Sequence, residues 1–536
     1  MADLFSLLTE YGDSDSYPYH MPGHKGRRVG MLPEALAKGD ITEIDGFDNL
    51  HQPEGILLEI QKQAAALYGA EESFLLVNGS TCGILSAISA TVSEGGRILM
   101  ARNGHKSAYH GAYLRGLDIV YLYPKLQDKL PIYEDISARD VREALEREQD
   151  IEAVLVVSPT YEGRISDIRE IARVTHEKGI PLIVDEAHGA HLGFHHSFAE
   201  NSNRLGADLV IHSVHKTLPA MTQTALLHVN GTLIDRDRLK RFLRIYQSSS
   251  PSYILMASIA NALDLVARDG ERLFGTFAEH YDAMVGTLAE ADIVKSFYGP
   301  EAGSTGEDGE VSRYFKQDRG KLVLYCEPVY KDSTGKEHKG LSGQALYNIL
   351  KDDYHLNLEM ATGSYCLAMF TVGDTREAYD RMMAAVLDLN HRLRAGEEFL
   401  RAGGISGCAE DVINGTGEAE TGYMAGRTGE YGIGEADHMC AGAELYRMKR
   451  DNEALSLREA WDAPGEEVPL EYAVGRRSRE FINLYPPGAP LLVPGEMITE
   501  EMAAFIRFCL KEKLNLQGTD TKNGVTLVSV IKNDFR

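Results

Sequence analysis

Cysteine is scarce in this chain, and the cysteines present form no recognisable pattern. Only 6 occur among 536 residues, and no pair has the CxxC spacing. Disulfide frameworks and structural zinc sites need paired or closely spaced cysteines, so this pattern predicts neither and indicates reduced thiols in the cytoplasm. We therefore expect no metal site. The cysteines are Cys82, Cys326, Cys366, Cys408, Cys440 and Cys509.

Positively charged residues are also fewer than negatively charged ones. The chain carries 55 lysines and arginines against 80 aspartates and glutamates, a formal net charge of −25. Such a surface repels phosphates, so nucleic acid and acidic membrane surfaces are poor partners for it. An acidic surface could steer a cationic substrate towards the protein, although acidity also serves solubility alone.

Long apolar runs are absent as well. No uninterrupted apolar stretch approaches the length that spans a bilayer, and the N-terminal sequence Met-Ala-Asp-Leu-Phe-Ser lacks the basic and apolar regions of a signal peptide. We therefore expect no membrane segment and a cytoplasmic location. A length of 536 residues is sufficient for two or three domains with a large core.

What the sequence does contain is an alternation of short apolar runs with helical patterns. This alternation is typical of an α/β fold, in which a parallel sheet carries helices on both faces. The apolar runs that we interpret as strands lie at 74–77, 97–100, 119–123, 153–157, 182–184, 209–211 and 225–229.

The pattern divides the chain into three regions. Residues 1–54 are irregular and form an N-terminal arm, and residues 55–290 form a large α/β domain that ends in a long helical pattern. Residues 291–536 form a C-terminal α+β region with strands near 321–327 and 364–372. Within that region, the segment 401–440 is rich in glycine and has little periodicity, which predicts a long loop or insertion.

Two strand ends carry complementary chemistry. Lys216 comes after the apolar run at 209–211, and Asp185 comes directly after the apolar run at 182–184. A lysine that is partly desolvated at a strand end has a lowered pKa and can form a Schiff base with an aldehyde. An aspartate at the neighbouring strand end can pair with a pyridine nitrogen and keep it protonated, so the two together suit pyridoxal 5'-phosphate.

Further polar side chains follow the other strands. Ser80 and Thr81 stand where a strand turns into a helix, so their hydroxyls and the free backbone N–H groups could hold a phosphate, although serine and threonine are also ordinary helix caps. His105, Thr160 and Ser213 follow other strands. Ligands of open α/β sheets bind at the carboxyl ends of the strands, so we expect these residues to meet at one rim.

The ordered motifs resemble one known family. Together they are similar to the bacterial ornithine/lysine/arginine decarboxylases, pyridoxal-phosphate enzymes of the aspartate-aminotransferase fold, also called fold type I. The resemblance implies a mostly parallel seven-stranded sheet and a smaller α+β C-terminal domain. The motifs are HMPGHKGR at 20–27, NGST at 78–81, RNGHKS at 102–107, SPTYEG at 158–163, VDEAHGAH at 184–191, HSVHKT at 212–217, SSSPSY at 248–253 and YPPGAPLLVPGE at 485–496.

The resemblance implies a role for individual residues of this sequence. Lys216 would be the Schiff-base lysine and Asp185 the partner of the pyridinium, and these two with His105 would be catalytic. His105 would stack on one face of the cofactor ring, with Ala187 on the other and His188 nearby. The residues that would hold the phosphate or line the cofactor site are Ser80, Thr81, Thr160, Ser213, His215 and, from the neighbouring subunit, Ser250.

The implied reaction is α-decarboxylation of lysine, arginine or ornithine. Another reaction of the same fold, such as that of an aminotransferase or an amino-acid lyase, and a catalytically inactive binding homologue remain as alternatives. Aminotransferases of this fold hold the substrate carboxylate with an arginine, and the candidate stretch 358–365 contains none. Glu496 and Glu359 are candidates for pairing with the cationic end of the substrate, although either could be a structural carboxylate.

The resemblance also implies an oligomer. Because Ser250 would reach the neighbouring subunit's phosphate, we expect a homodimer or a dimer of dimers with shared active sites. The long members of the family begin with an extra wing domain that builds large rings. Here HMPGHK begins at residue 20, so we expect neither that domain nor such a ring. The insertion at 401–440 also departs from the family pattern.

Overall fold

The structure is a computed structural model. It describes residues 3–14, 21–22, 24–25, 34–127, 129–298, 317–397, 399, 455–484, 488–522 and 524–532. The insertion predicted at 401–440 lies outside these residues. None of the helices in the described ranges combines the length and the apolar composition that crossing a membrane would require.

The first half of the chain alternates between helices and strands. Many of its helices begin at a residue whose side chain accepts a hydrogen bond from the first turn, as Ser137 does from the Asp140 backbone N–H. The elements are α1 (Leu4–Asp13), α2 (Glu34–Gly39), α3 (Ile56–Tyr68), β1 (Glu72–Leu76), α4 (Gly79–Thr91), β2 (Arg97–Ala101), α5 (Lys106–Arg115), β3 (Asp118–Leu122), α6 (Ala138–Arg147), β4 (Ile151–Val157), α7 (Ile168–His176), β5 (Leu182–Asp185), β6 (Leu209–His212), α8 (Val214–Thr217), β7 (Ala225–Val229), α9 (Arg236–Tyr246) and α10 (Tyr253–Leu288).

The strands of this half form one sheet in the order β1-β7-β6-β5-β4-β2-β3. All neighbouring pairs are parallel except those of β7, which runs antiparallel to both β1 and β6. The prediction of a mostly parallel, seven-stranded sheet is therefore confirmed. Strands β5 and β6 are buried along their whole length, which explains why they read as continuous apolar runs and not as alternating ones.

The order of the strands creates a crevice at one edge of the sheet. The chain leaves β2 towards β3 on one side and leaves β4 towards β5 on the other. The carboxyl ends of β2 and β4 therefore lie beside each other while their following loops diverge. Such a switch point is where open α/β sheets bind ligands.

The rest of the described chain builds smaller sheets. Strands β12-β13-β9-β8 form an antiparallel sheet, and a separate region after residue 454 forms two three-stranded sheets with an apolar core of its own. The elements are β8 (Val294–Ser296), β9 (Lys321–Cys326), β10 (Val329–Lys331), β11 (Glu337–Lys339), α11 (Gly343–Asp352), β12 (Met360–Ala361), β13 (Tyr365–Met369), α12 (Arg376–Arg394), α13 (Leu457–Asp462), β14 (Gly465–Pro469), α14 (Leu470–Ala473), β15 (Ile482–Leu484), β16 (Pro490–Leu492), α15 (Glu500–Lys511), β17 (Leu516–Gln517), β18 (Thr519–Lys522) and β19 (Val525–Ile531).

Candidate active site

A cavity of about 260 Å³ lies at the carboxyl ends of the large sheet. Of the site residues predicted from the sequence, the structure brings most to its wall, and it leaves out Ser250, Glu359 and Glu496. The lining residues are Gly79, Ser80, Thr81, Ile84, Asn103, His105, Tyr133, Val157, Pro159, Thr160, Tyr161, Glu162, Asp185, Ala187, His188, Ser213, His215, Lys216 and Ala489.

Lys216 reaches the cavity from the single helical turn that follows β6. Its Nζ lies 3.0 Å from His188 Nε2. Burial lowers the pKa of this amine, because a charged ammonium loses its hydration there, while Asp185 and Glu359 act in the opposite direction. A larger fraction of Lys216 is therefore uncharged, and so nucleophilic, than for a solvated lysine.

Asp185 is the last residue of β5 and is 4 % exposed. Its Oδ1 accepts a hydrogen bond of 3.2 Å from the Ala187 backbone N–H. Burial raises the pKa of this carboxyl, and the charge of Lys216 opposes the rise. Few groups of the protein stabilise the negative charge of this buried carboxylate. A cationic group placed against Asp185 would therefore stabilise it.

His105 caps the N-terminus of α5 at the end of β2. Its Nδ1 accepts from the Ser107 backbone N–H at 3.2 Å and lies 2.8 Å from the Ser107 hydroxyl. Burial lowers the pKa of the imidazole to about 3, with further lowering from the charges of Lys216 and Lys106. The ring is therefore neutral at physiological pH, and its orientation is set by Ser107.

Another part of the cavity wall is rich in hydroxyl groups. The Ser213 hydroxyl donates to the Ser80 hydroxyl at 2.8 Å, and Thr81 lies beside them in the first turn of α4. The free N–H groups of that turn and the positive end of the helix dipole favour an anion. His215 Nδ1 donates to the Thr224 carbonyl at 2.8 Å, and burial lowers the pKa of its imidazole.

These residues fit pyridoxal 5'-phosphate. The hydroxyl-rich part of the wall suits its phosphate, the Lys216 amine its aldehyde, and the buried Asp185 its protonated ring nitrogen. A further sign that the cavity accepts a polar ligand is Asn103 Oδ1, which is buried and has no hydrogen-bond partner within the part of the chain that the structure describes.

The structure adds residues that the sequence did not single out. Tyr161 and Glu162 line the cavity, and both lie in the SPTYEG motif, so that motif was the available signal. Lys321 is fully buried, and its Nζ lies 2.9 Å from His188 Nδ1. No sequence signal marked Lys321, because a lysine that begins an apolar strand is usually solvated at the strand end.

Two predicted substrate carboxylates have different surroundings. Glu496 pairs with Arg102, at 2.9 Å between Oε2 and Nη2, and lies away from the cavity wall. In this placement its carboxylate already neutralises a buried guanidinium, and its role towards the substrate stays a prediction. Glu359 is exposed but contacts Tyr161, which lines the cavity, and its charge acts on Lys216.

Ser250 lies outside the cavity of its own chain. It is exposed in the loop before α10, and its backbone N–H donates to the Ser248 hydroxyl at 3.2 Å. Its predicted role concerns a second subunit, so it stays a prediction.

Two sequence models of one family match this chain. The model described as "Orn/Lys/Arg decarboxylase, major domain" matches residues 2–378, and the one described as "Orn/Lys/Arg decarboxylase, C-terminal domain" matches residues 445–521. The first match alone spans more than half of the sequence.

Similar proteins carry related names. An arginine decarboxylase of Bacillus anthracis is 28 % identical over 532 residues, which cover 98 % of this chain and 96 % of that protein. The constitutive lysine decarboxylase of Escherichia coli is 26 % identical over 568 residues, covering 94 % of this chain and 76 % of that protein. The solved structure of a Francisella novicida lysine decarboxylase aligns with a TM-score of 0.78 at 16 % identity, covering 99 % of this chain and 81 % of the other, which shows the shared fold. The chain belongs to the Orn/Lys/Arg decarboxylase family.

Proposed function

We propose that this protein is a pyridoxal 5'-phosphate-dependent decarboxylase that converts a basic amino acid, namely lysine, arginine or ornithine, into the corresponding amine and CO₂. The observation that carries the proposal is the meeting of Lys216, Asp185 and His105 around one cavity, next to the hydroxyl groups of Ser80 and Ser213. Its membership of the Orn/Lys/Arg decarboxylase family supports the same reaction.

Each of these side chains has a task in that reaction. When bound, the cofactor supplies an electron sink for the pair that CO₂ leaves at Cα. The carboxylate of Asp185 would hold a proton at the ring nitrogen, and the amine of Lys216 would attach the aldehyde. The neutral ring of His105 would pack on one face of the cofactor, and Ala187 would pack on the other. The hydroxyls at the start of α4 would hold the phosphate.

The polarity of the cavity favours a reaction in which the substrate loses its carboxylate over one in which the substrate keeps it. Within the described chain, none of the residues that line this cavity is an arginine. A carboxylate that leaves as neutral CO₂ benefits from weak solvation, whereas a reaction that keeps the carboxylate benefits from a cationic partner. This contrast favours decarboxylation over transamination.

Glu359 is the candidate nearer to the cavity for recognition of the substrate's cationic end. Tyr161 donates a hydrogen bond to its carboxylate, which places the acid beside the cavity. An ammonium or guanidinium at the far end of a basic amino acid would pair with a carboxylate there. The exposed position suits a substrate whose charged end stays close to solvent.

We further infer that the active protein is a homodimer or a dimer of dimers in the cytoplasm. Ser250 is exposed and lies outside its own cavity, as expected of a residue that serves a neighbouring subunit. Symmetric pairing is the commonest form of oligomer, and a shared cofactor site would make it necessary for activity. The scattered cysteines suit a reducing compartment.

The test is a direct assay of amine formation. The purified protein, supplied with the cofactor, is incubated in turn with lysine, arginine and ornithine, and the released amine and CO₂ are measured. We expect one of the three to give the highest kcat/KM and Lys216→Ala to give none. A wild-type protein that binds the cofactor and transaminates these amino acids without releasing CO₂ would refute the proposal.

A further inference from the structure

Four polar side chains form a line across the large sheet, buried in the apolar core that α3 and α10 build against it. Ser73 of β1 lies directly opposite His228 of β7, and His212 of β6 and Glu186, the residue after β5, continue the line. Each of the four is at most 3 % exposed. We call these four residues the polar ladder. Buried polar groups of this kind need a partner at every hydrogen-bonding atom.

Each member of the polar ladder contacts the next through one pair of atoms. Glu186 Oε1 lies 2.8 Å from His212 Nε2, His212 Nδ1 lies 3.0 Å from His228 Nε2, and His228 Nδ1 lies 2.6 Å from the Ser73 hydroxyl oxygen. The Tyr68 ring packs against both imidazoles, at 4.6 and 4.7 Å between ring centroids. All four ring nitrogens therefore have one partner within the ladder, and the packing holds the rings in place.

The two imidazoles make the hydrogen bonds of the polar ladder depend on one another. Burial lowers the pKa of His212 to about 3 and that of His228 well below its usual value, which favours neutral rings. A neutral imidazole has one N–H donor and one lone pair, so a ring that donates to one neighbour must accept from the other. The direction of one hydrogen bond therefore sets the direction of the next.

This rule leaves the polar ladder two complete arrangements. In the first, the Ser73 hydroxyl donates to His228, His228 donates to His212, and His212 donates to an ionised Glu186. In the second, Glu186 carries a proton and donates to His212, His212 donates to His228, and His228 donates to the Ser73 oxygen. All the ladder hydrogen bonds are made in both, and the two arrangements differ by one proton.

The reversal at His228 does not depend on which atom keeps the added proton. If the proton stays on Glu186, His212 donates from Nδ1. If the proton instead moves along the same hydrogen bond to His212 Nε2, the ring is charged and Nδ1 is still a donor. His228 Nε2 must accept in either case. The geometry alone therefore couples the outer part of the polar ladder to the proton at its inner end.

The inner end of the polar ladder lies behind the cofactor cavity. Glu186 is followed by Ala187 and His188, which line that cavity. Its carboxylate also accepts from the Ser202 hydroxyl and, at 3.1 Å, from the Ser202 backbone N–H. Burial raises the pKa of Glu186 to about 8, although the hydrogen bonds from Ser202 oppose the rise. The added proton is therefore exchanged in a range of pH that experiments can reach.

Two further charged groups act on the inner end of the polar ladder. A charge on His191 lowers the pKa of Glu186, and the charge of Glu200 raises it. Neither residue has a hydrogen bond to the ladder, so each can move the pH of the change without taking part in it.

The outer end of the polar ladder reaches a groove at the edge of the sheet. Ser73 belongs to β1, the first strand in the order of the sheet, and lines a groove of about 740 Å³ together with Phe74, Leu75 and Gln247. In the first arrangement its hydroxyl hydrogen is used by His228. In the second, the hydrogen is released and is available to an acceptor outside the ladder.

We propose that the polar ladder is a pH-sensitive switch, in which uptake of one proton at the contact between Glu186 and His212 reverses every hydrogen bond as far as Ser73. The switch carries a protonation state across four strands, from the segment behind the cofactor cavity to the groove at the sheet edge. It needs no movement of the backbone, because the same contacts serve both arrangements. The inference takes nothing from the proposed reaction.

The test reads the protons on the two rings directly. The full chain with bound cofactor is labelled with ¹⁵N-histidine, and solid-state NMR distinguishes protonated from unprotonated ring nitrogens by their chemical shifts. Spectra are recorded in steps between about pH 6 and pH 10, on either side of the range expected for Glu186. The signals are assigned by their loss in His212→Gln and in His228→Gln.

We expect His228 to carry its proton on Nδ1 at low pH and on Nε2 at high pH. His212 Nδ1 should lose its proton with the same midpoint, because one proton controls both rings. A His228 ring with the same protonated nitrogen throughout, a His228 ring that becomes doubly protonated, or separate midpoints for the two rings would each overturn the switch. The wild-type spectra alone can therefore refute it.

The variants show whether the signal travels through the polar ladder. Glu186→Gln removes the group that gains the proton, so both rings should keep one arrangement at all pH values. His212→Gln can still reach Glu186 but lacks the second ring nitrogen, so His228 should no longer respond to pH. The matched control Glu200→Gln removes a neighbouring carboxylate outside the ladder and should keep the reversal.

A pH-dependent reversal of His228 that persists in Glu186→Gln or in His212→Gln would overturn the proposal in favour of a direct effect of pH on that ring. Circular dichroism of each variant identifies any that does not fold. Glu186→Gln and His212→Gln interrupt the polar ladder at different residues, so either one carries this comparison if the other does not fold.

Discussion

A structural role of Glu496 can be distinguished by experiment from a role in substrate binding. The Glu496 carboxylate pairs with the guanidinium of Arg102, which is almost completely buried. Arg102 is 2 % exposed and Glu496 is 32 % exposed in their side chains. The pair is joined by two hydrogen bonds, at 2.9 Å from Nη2 to Oε2 and 3.2 Å from Nε to Oε1. The change Glu496→Gln removes the negative charge while leaving a side chain of similar size.

The expected loss of stability depends on the hydrogen bonds that Arg102 keeps when the Glu496 charge is removed. Breaking a buried ion pair typically costs about 3–5 kcal/mol, because an uncompensated charge remains. Arg102 retains hydrogen bonds to the Tyr109 hydroxyl and to the carbonyls of Pro490 and Leu491, and Glu496 is partly solvated. We therefore expect a lower cost, about 2 kcal/mol in the free energy of unfolding.

The assay is urea denaturation of the purified variant, followed by circular dichroism, together with its steady-state kinetics. The matched control is Glu467→Gln, which breaks a pair with Lys522 in which both side chains are 56 % exposed. This control should lose less than about 0.5 kcal/mol. Glu496→Gln should be destabilised while its KM stays near that of the wild type. Unchanged stability combined with a tenfold higher KM would refute the reasoning and support the predicted role of Glu496 in substrate binding.

Three further predictions concern the cofactor site. Lys216→Ala should abolish turnover, and borohydride reduction of the wild type should bleach its visible absorption and mark Lys216 in peptide maps; a mark on another lysine would refute the assignment. Asp185→Asn should keep the fold and bind the cofactor but lose roughly 100-fold in kcat, because the ring proton is no longer held by a charge; near-wild-type kcat at saturating cofactor would contradict this role. Mixed subunits of Lys216→Ala and Ser250→Arg, each inactive alone, should regain activity, whereas no recovery after proven subunit exchange would exclude a shared site.

Much of the large domain could be predicted from the sequence. The strand at 225–229 agrees with the structure at both ends, whereas the first strand lies at Glu72–Leu76 instead of 74–77. The periodicity of apolar residues and the capping residues of helices are local properties of the sequence. They therefore identify helices and strands well but locate the ends of these elements less accurately. Residues placed after these strands by motif reached the same cavity because parallel strands end at the same edge.

Other features of the fold depend on contacts between residues that are far apart in the sequence. The reversed direction of β7 was not apparent in its sequence, because a buried apolar run has the same composition in either direction. The C-terminal α+β region contains separate small sheets, and the sequence did not indicate which of its strands pair. Strand content is local, whereas strand partners are chosen by long-range burial.

By itself, then, the sequence determined the α/β architecture, the family, and the residues that its motifs bring to the cavity. Only the tertiary structure decided the partners of the charged groups. It placed Glu496 on Arg102 and brought Lys321 to His188, across 394 and 133 positions of the chain. A buried charge must be compensated by whatever group folding brings within reach, and local sequence does not specify that group.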